Sequence, residues 1–243
     1  MDWLTKLKDD FILCFVDDSR WKWLWEGLKS TMIITLFALL IGLVIGVVIA
    51  AIRSTFDKNR EEYRKKGGLF YGVWWVINAI SNLYLTIVRG TPVVVQLLIC
   101  YFIIFASSRN GVAVAIFAFG LNSGAYVAEI IRGGIMSIDN GQFEGGRSLG
   151  YNYVQTMIYI IIPQVFKAIL PTLCNEFIVL IKETSVAGYV GVMDLTKAGD
   201  RIRGVTFKPF LPLIAVALIY LVVVVILTQL VNLLERRLRK NER

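Results

Sequence analysis

Charged and amide side chains set inside apolar sequence are where the chemistry of this chain must lie. The apolar run 166–181 carries Pro171, Asn175 and Glu176, and it leads directly into Lys182-Glu183-Thr184-Ser185. Ionisable groups at membrane depth are costly, and they face a cavity or one another. Glu176 and Glu183 are seven residues apart, so two helical turns place them on one face with Lys182 beside them. A zwitterionic small molecule needs both signs, an anion for its ammonium and a cation for its carboxylate, and this face offers both. The alternative use of the same residues is an internal ion pair that stabilises packing. A second apolar run, 112–131, carries Asn122, Ser123, Tyr126 and Glu129. Asn122 and Ser123 either line a polar path or act as hydrogen-bonding groups between helices. Gly120, Gly124, Ala125 and Ala128 let another helix approach closely.

Covalent and metal chemistry find no residues here. There is no histidine, and the cysteines, Cys14, Cys100 and Cys174, show neither C-x-x-C nor metal-ligand spacing. No G-x-x-x-x-G-K-[ST] loop occurs. The expectation is a protein that is not an enzyme, with no catalytic residue, no metal site and no cofactor of its own. Any nucleotide hydrolysis must come from another subunit. The formal charge of +8 could suggest a nucleic-acid partner, but Lys and Arg flank the apolar runs, where lipid head groups and topology account for them.

With 56% hydrophobic and 18% charged residues among 243, and a mean hydropathy of +0.65, the chain carries more apolar surface than a soluble domain could bury. The charge-free runs 31–52 and 210–234 are each long enough, at about 1.5 Å per residue, to cross a hydrocarbon layer of about 30 Å. Both must be helices, since lipid offers backbone groups no partner outside the segment. Residues 1–27, with Trp3, Trp21, Trp23 and Trp25, read as an amphipathic leader lying along the membrane surface. Residues 53–68 read as a basic, flexible connector. The segment 69–88 has no charge, but Asn78, Ser81 and Asn82 recur at helical spacing, which favours a helix lying in the interface. Arg89-Gly90-Thr91-Pro92 then breaks the chain, and 93–106, 112–131 and 166–181 complete five spans. Residues 188–208 form an outer loop or short gate helix. A sixth span at 69–88 changes the Lys and Arg distribution little, so that distribution does not choose between five and six. Both topologies put the segment 130–164 and the end of the chain in the cytoplasm.

That segment is a polar, glycine-rich island. It begins Ile-Ile-Arg-Gly-Gly-Ile and ends in an apolar run, 151–162, that stops at Pro163. Within it, Glu144-Gly145-Gly146, three residues, Gly150, nine residues, then Ile160, one residue, Ile162 and Pro163 reproduce the spacing E-A-A, x3, G, x9, I-x-L-P. This resembles the signature of the permease subunit of a binding-protein-dependent ABC transporter, with glycines for both alanines and isoleucine for leucine. Arg89-Gly90-Thr91-Pro92 with Gln96, and Asn175-Glu176-Phe177 with Ile181-Lys182-Glu183-Thr184-Ser185, are similar to the polar amino acid uptake branch. The resemblance covers about residues 28–239.

The resemblance implies an all-α polytopic membrane protein of the type I ABC importer permease fold. It would have five transmembrane helices, an interfacial helix and a cytoplasmic coupling helix, with the importer domain over 28–239, the coupling loop near 134–165 and a cytoplasmic tail at 240–243. Glu144, Gly145, Gly146, Ser148, Leu149, Gly150 and Pro163 would form the coupling element to a separate ATP-binding subunit. Glu144, near the start of that helix, would favour its dipole, and Gly150 would serve as a left-handed cap. Two glycines inside the helix cost about 1 kcal/mol each relative to alanine, so its order would depend mainly on its partner. Asn122, Ser123, Tyr126, Asn175, Glu176, Lys182, Glu183, Thr184 and Ser185 would line the substrate path. The implied partners are that ATPase, an extracytoplasmic substrate-binding protein, a second permease subunit in a homo- or heterodimer, a polar amino acid and the lipid bilayer. The implied location is a bacterial cytoplasmic membrane. An ion-coupled secondary amino acid transporter would use the same buried Glu and Lys.

Overall fold

In the computed structural model, which describes residues 2–240, the helices run well past the apolar stretches that nucleate them. Their order is α1 (Asp2–Phe11), α2 (Trp21–Lys66), α3 (Gly68–Gly90), α4 (Val93–Ile99), α5 (Gly111–Ser137), α6 (Asn140–Ser148), α7 (Tyr153–Thr156), α8 (Ile162–Glu183), α9 (Leu195–Thr206) and α10 (Phe210–Lys240). Among the described residues all regular structure is helical. Residues 241–243, most of the expected tail, lie outside the described residues.

α2 corrects the expectation of a flexible connector, since 53–66 continues it without a break. Glu61 and Lys65 stand in the favoured i, i+4 order, and Ser54, Phe56 and Asn59 are buried, so packing and helix-compatible charge order both extend the helix. Among the described residues, five helices are long and apolar enough to cross a membrane. Gly68–Gly90 is one of them, while Val93–Ile104 is shorter, so length and composition exchange the parts expected of these two segments. The expected stop at Pro163 is also absent, because a π-turn at Met157–Ile161 joins α7 to α8 across it. Proline lacks an N–H and its ring crowds the carbonyl four residues back; the wider π-turn opens the backbone there.

The chain divides into two compact units. One unit comprises 1–38, 93–119 and 177–230. Its core gathers Cys14 and Phe15 from the leader, Leu24 from α2, Leu195, Ala198 and Ile202 from α9, and Val216 from α10. The leader is thus pinned as well as amphipathic. Trp3 and Leu4 are exposed, but a π-turn at Ile12–Val16 delivers Cys14 and Phe15 inward. Lys208 Nζ lies 3.1 Å from Asp10, and the Arg201 guanidinium lies 4.1 Å over the Trp23 ring. In the expected gate segment, Asp194 caps α9 by accepting from the Lys197 N–H at 2.8 Å, and the Leu195 N–H donates to the Thr31 hydroxyl at 3.1 Å.

Asp194 is fully buried, and burial pushes its carboxyl from an ordinary 3.8 up to about 6. A raised acid favours the neutral form in the folded state, so its ionisation costs stability above pH 6 and that cost disappears as pH falls toward 3.8. Asparagine caps equally well. Asp194→Asn should therefore unfold at a higher temperature than the unsubstituted protein at neutral pH, with the gap closing as pH falls through 6. A gap independent of pH would contradict the burial argument.

The second unit comprises 39–92, 120–176 and 231–243. Here α3 lies against α2 and α5, with Leu85, Ala125 and Ala128 packed beside Ile49, Tyr84 and Val88. The small residues of α5 allow this approach, as expected: a Cβ at Gly124 would meet Ile45 at 2.9 Å and the Tyr84 hydroxyl at 3.0 Å. The opposite side of α3, with Trp75, Ile80, Leu83 and Ile87, is exposed and apolar, as a lipid-facing surface would be.

Candidate functional site

Two elements of the second unit bring together the polar residues expected on a path. α5 presents Asn122, Ser123 and Tyr126, and α8 presents Asn175 and Glu176. The Ser123 hydroxyl donates to Glu176 Oε1 at 3.0 Å, and both residues are buried. Asn122 is buried beside Ser123, Tyr126 is half-buried one turn further on, and Asn175 is exposed.

Two ionisable residues not among the expected path set complete this neighbourhood. The Arg89 guanidinium lies 5.7 Å over the Tyr126 ring and 3.9 Å from Glu129. Arg53 donates to Glu129 Oε1 at 2.5 Å, Arg132 lies 3.3 Å from Oε2, and Arg132 also reaches Asp57 at 3.4 Å. Glu129 is therefore the shared counter-ion of arginines from α2, α3 and α5, and it accepts hydrogen bonds from Arg53 and Arg132. Three guanidiniums face two carboxylates, which leaves one surplus positive charge. The signal was present in the sequence, since Glu129 sits inside an apolar run and Arg89 ends one. The arrangement offers a carboxylate that can receive an ammonium or guanidinium group. Arg89, held only loosely by Glu129, offers a planar cation suited to a carboxylate.

The remaining expected path residues belong to the other unit. Thr184 is fully buried, donates to the Ile181 carbonyl at 2.8 Å and lies 3.4 Å from the Thr35 hydroxyl, so it serves packing. Glu183 is half-buried, whereas Lys182 is exposed and shares the lining of a cavity with Ser185.

The glycine-rich segment folds as α6 between two well-formed caps. It starts at Asn140, four residues earlier than the expected Glu144, because Asp139 accepts from the Gly141 N–H at 2.6 Å. Asp139, not Glu144, is the acid at the helix start, and Glu144 is exposed in mid-helix. Gly150 has φ +83°, and the Tyr151 N–H to Gly146 carbonyl and Gly150 N–H to Arg147 carbonyl bonds, at 3.1 and 2.9 Å, form a Schellman close. Glu144, Gly145, Arg147, Ser148 and Leu149 are exposed.

The helix is also held by its own chain, which corrects the expectation that order comes mainly from a partner. Phe143 packs on the core of Ile135, Ile161, Val165 and Ile169, and Lys58 donates to Asn140 Oδ1 at 2.8 Å while lying 4.4 Å over the Phe143 ring. Gly146 is buried, and a Cβ there would meet Thr156 Cγ2 at 2.7 Å and Oγ1 at 2.8 Å.

Residues 67–240 match the family described as the binding-protein-dependent transport system inner membrane component. The chain is 36% identical over 169 residues to the glutamine transport system permease protein GlnP of Escherichia coli (strain K12), covering 68% of this chain and 77% of that protein. It is 39% identical over 166 residues to the arginine transport system permease protein ArtQ of Bacillus subtilis (strain 168), covering 67% of this chain and 76% of that one. Among solved structures, that of an amino acid ABC transporter with histidines aligns with a TM-score of 0.78 at 36% identity, over 92% of this chain and 98% of that chain. An inward-facing MetNI methionine ABC transporter shares the fold at 19% identity, with a TM-score of 0.68 over 89% of this chain and 95% of the other. A match of that extent, together with the helical order and the spaced glycine-rich element, places this chain in the family of binding-protein-dependent transport system inner membrane components.

Proposed function

We propose that this chain is the permease subunit of an ABC importer that moves a polar amino acid inward by alternating access. The buried Ser123–Glu176 pair, with Arg89 over Tyr126 in the same unit, carries this reading: it supplies an anion and a cation for a zwitterion. The relatives named for glutamine and arginine transport support the substrate class. A separate ATPase subunit docks on the exposed face of α6, and a binding protein delivers substrate from the far side. A second permease subunit completes the assembly in a bacterial cytoplasmic membrane.

Reconstitution with the ATPase and binding protein tests it directly. Substrate should stimulate ATP hydrolysis, and Glu144→Arg on the exposed face of α6 should abolish that coupling. Glu176→Gln should lower arginine uptake about tenfold more than glutamine uptake, a difference of about 1.4 kcal/mol at the transition state for passage. Equal effects on both would remove Glu176 from the pocket. Uptake that persists without ATP hydrolysis and collapses with an ionophore would overturn the importer reading.

A further inference from the structure

In the unit that contains α9, two cavities share part of their wall. The larger, about 590 Å³, lies between the turn Thr184–Val190 and α9, and Tyr189, Lys197, Asp200 and Arg203 line it. The smaller, about 310 Å³, shares Ser185 and Thr196 with it and reaches Lys182 and Tyr220. The larger volume lies in the range typical of small-molecule sites, about 300–1,000 Å³.

Its charges are arranged around one carboxylate. Lys197 Nζ lies 3.4 Å from Asp200 Oδ2, and Arg203 reaches Oδ1 through Nε at 2.9 Å and Nη2 at 2.5 Å. With Lys182 in the adjoining lobe, three cations line a concave surface that has one anion. Exposed pairs of this kind contribute little to stability. α9 does not need them, since Asp194 caps it and Leu195, Ala198 and Ile202 anchor it. The Arg203 guanidinium holds the Asp200 carboxyl below its usual range, so Asp200 stays an anion able to accept an ammonium group.

We propose that this cavity is a surface subsite for a zwitterionic α-amino acid, which places its ammonium on Asp200 and its carboxylate between Lys197 and Arg203 before passing toward Lys182. This rests on the transport function proposed above, and its residues are distinct from the Ser123–Glu176 pair. The surplus cations give the carboxylate its place. Ser185 and Thr196, common to both lobes, supply hydroxyls along the passage. A lipid head group is the competing occupant, because Leu213, Val216 and Ala217 make one wall of the smaller lobe apolar.

The test uses the permease with its ATPase in phosphatidylcholine nanodiscs, without ATP or binding protein. Radiolabelled L-glutamine and L-arginine binding is measured in a Glu176→Gln, Arg89→Gln background, which removes the anion and the cation of the other site. Asp200→Asn and Arg203→Gln should each weaken binding about tenfold, while Arg203→Lys, which keeps the charge, should retain most of it. Unchanged thermal unfolding of the variants establishes that they are folded, and Lys197→Gln serves as a second probe of the carboxylate end. Equal binding by all variants, alongside normal uptake by the unsubstituted importer, overturns the subsite and leaves the transport function standing. Absence of uptake by the unsubstituted importer overturns the transport function itself. Loss of amino acid binding when phosphatidylglycerol is added assigns the cavity to lipid and overturns the subsite.

Discussion

Glu129→Ala is expected to destabilise the protein by about 3 kcal/mol, the lower end of the cost of removing one partner from a buried ion pair. Glu129 and Arg53 keep only 23% and 14% of their side-chain surface exposed, so solvent screens the remaining charges poorly. Without Glu129, Arg53 loses its 2.5 Å acceptor and Arg132 keeps only Asp57. The surplus positive charge in the cluster rises from one to two. Glu129→Gln keeps volume and an acceptor oxygen but raises the charge in the same way, so it should lose nearly as much. Arg53→Met combined with Glu129→Met removes charge and countercharge together and should recover part of the loss. Thermal unfolding in detergent of the unsubstituted protein, Arg53→Met, Glu129→Met and the double Met variant decides the matter. Additive single effects would show that the pair is only a surface contact. Because Glu129 also borders Arg89, transport by Glu129→Gln should fall even where the protein remains folded.

Much of this architecture was legible because the bilayer imposes strict rules. Charge-free runs of more than 20 residues have one solution, and the polar positions Ser123 and Glu176 stood out against them. That these two hydrogen-bond to each other was not legible, because nothing in sequence spacing links residues on α5 and α8. The basic connector after Ile52 misled in a different way. Lys and Arg beside an apolar run look like a solvated loop, yet good helix formers with i, i+4 partners extend α2 to Lys66, and the chain uses that extension to hold α6 through Lys58 and Phe143. Pro163 misled by the usual rule, which assumes i→i−4 bonding, whereas the π-turn at Met157–Ile161 removes that assumption. α3 shows the limit of reading a polar stripe. Ser81 is buried and satisfies its hydroxyl on the Ile77 carbonyl of its own helix, so the stripe marks a packing face as well as a wet one.

The two glycines that replace alanines in the coupling signature should behave oppositely when alanine is restored. Gly145 is exposed, and a Cβ there meets nothing within 4 Å, so Gly145→Ala should stabilise α6 by about 1 kcal/mol through helix propensity alone. At Gly146 the same gain is opposed by contact, because the added Cβ would lie 2.7 and 2.8 Å from two atoms of Thr156 and 3.1 Å from Ile160 Cδ1. Thr156 cannot yield easily. It is buried and β-branched, and its hydroxyl donates to the Asn152 carbonyl at 3.0 Å. Overpacking of this kind costs about 1–3 kcal/mol, so Gly146→Ala should be destabilising on balance and should tilt α6 away from α7. Thr156→Ala removes both offending atoms and should rescue Gly146→Ala while doing little for Gly145→Ala. The readouts are thermal unfolding and the ratio of substrate moved to ATP hydrolysed in the reconstituted assembly. Gly145→Ala should keep that ratio, because only the stiffness of an exposed turn changes. Gly146→Ala should lower it, because the α6 face proposed to meet the ATPase is displaced. Equal behaviour of the two substitutions, or no rescue by Thr156→Ala, would show that α6 is not positioned by its seat on Thr156.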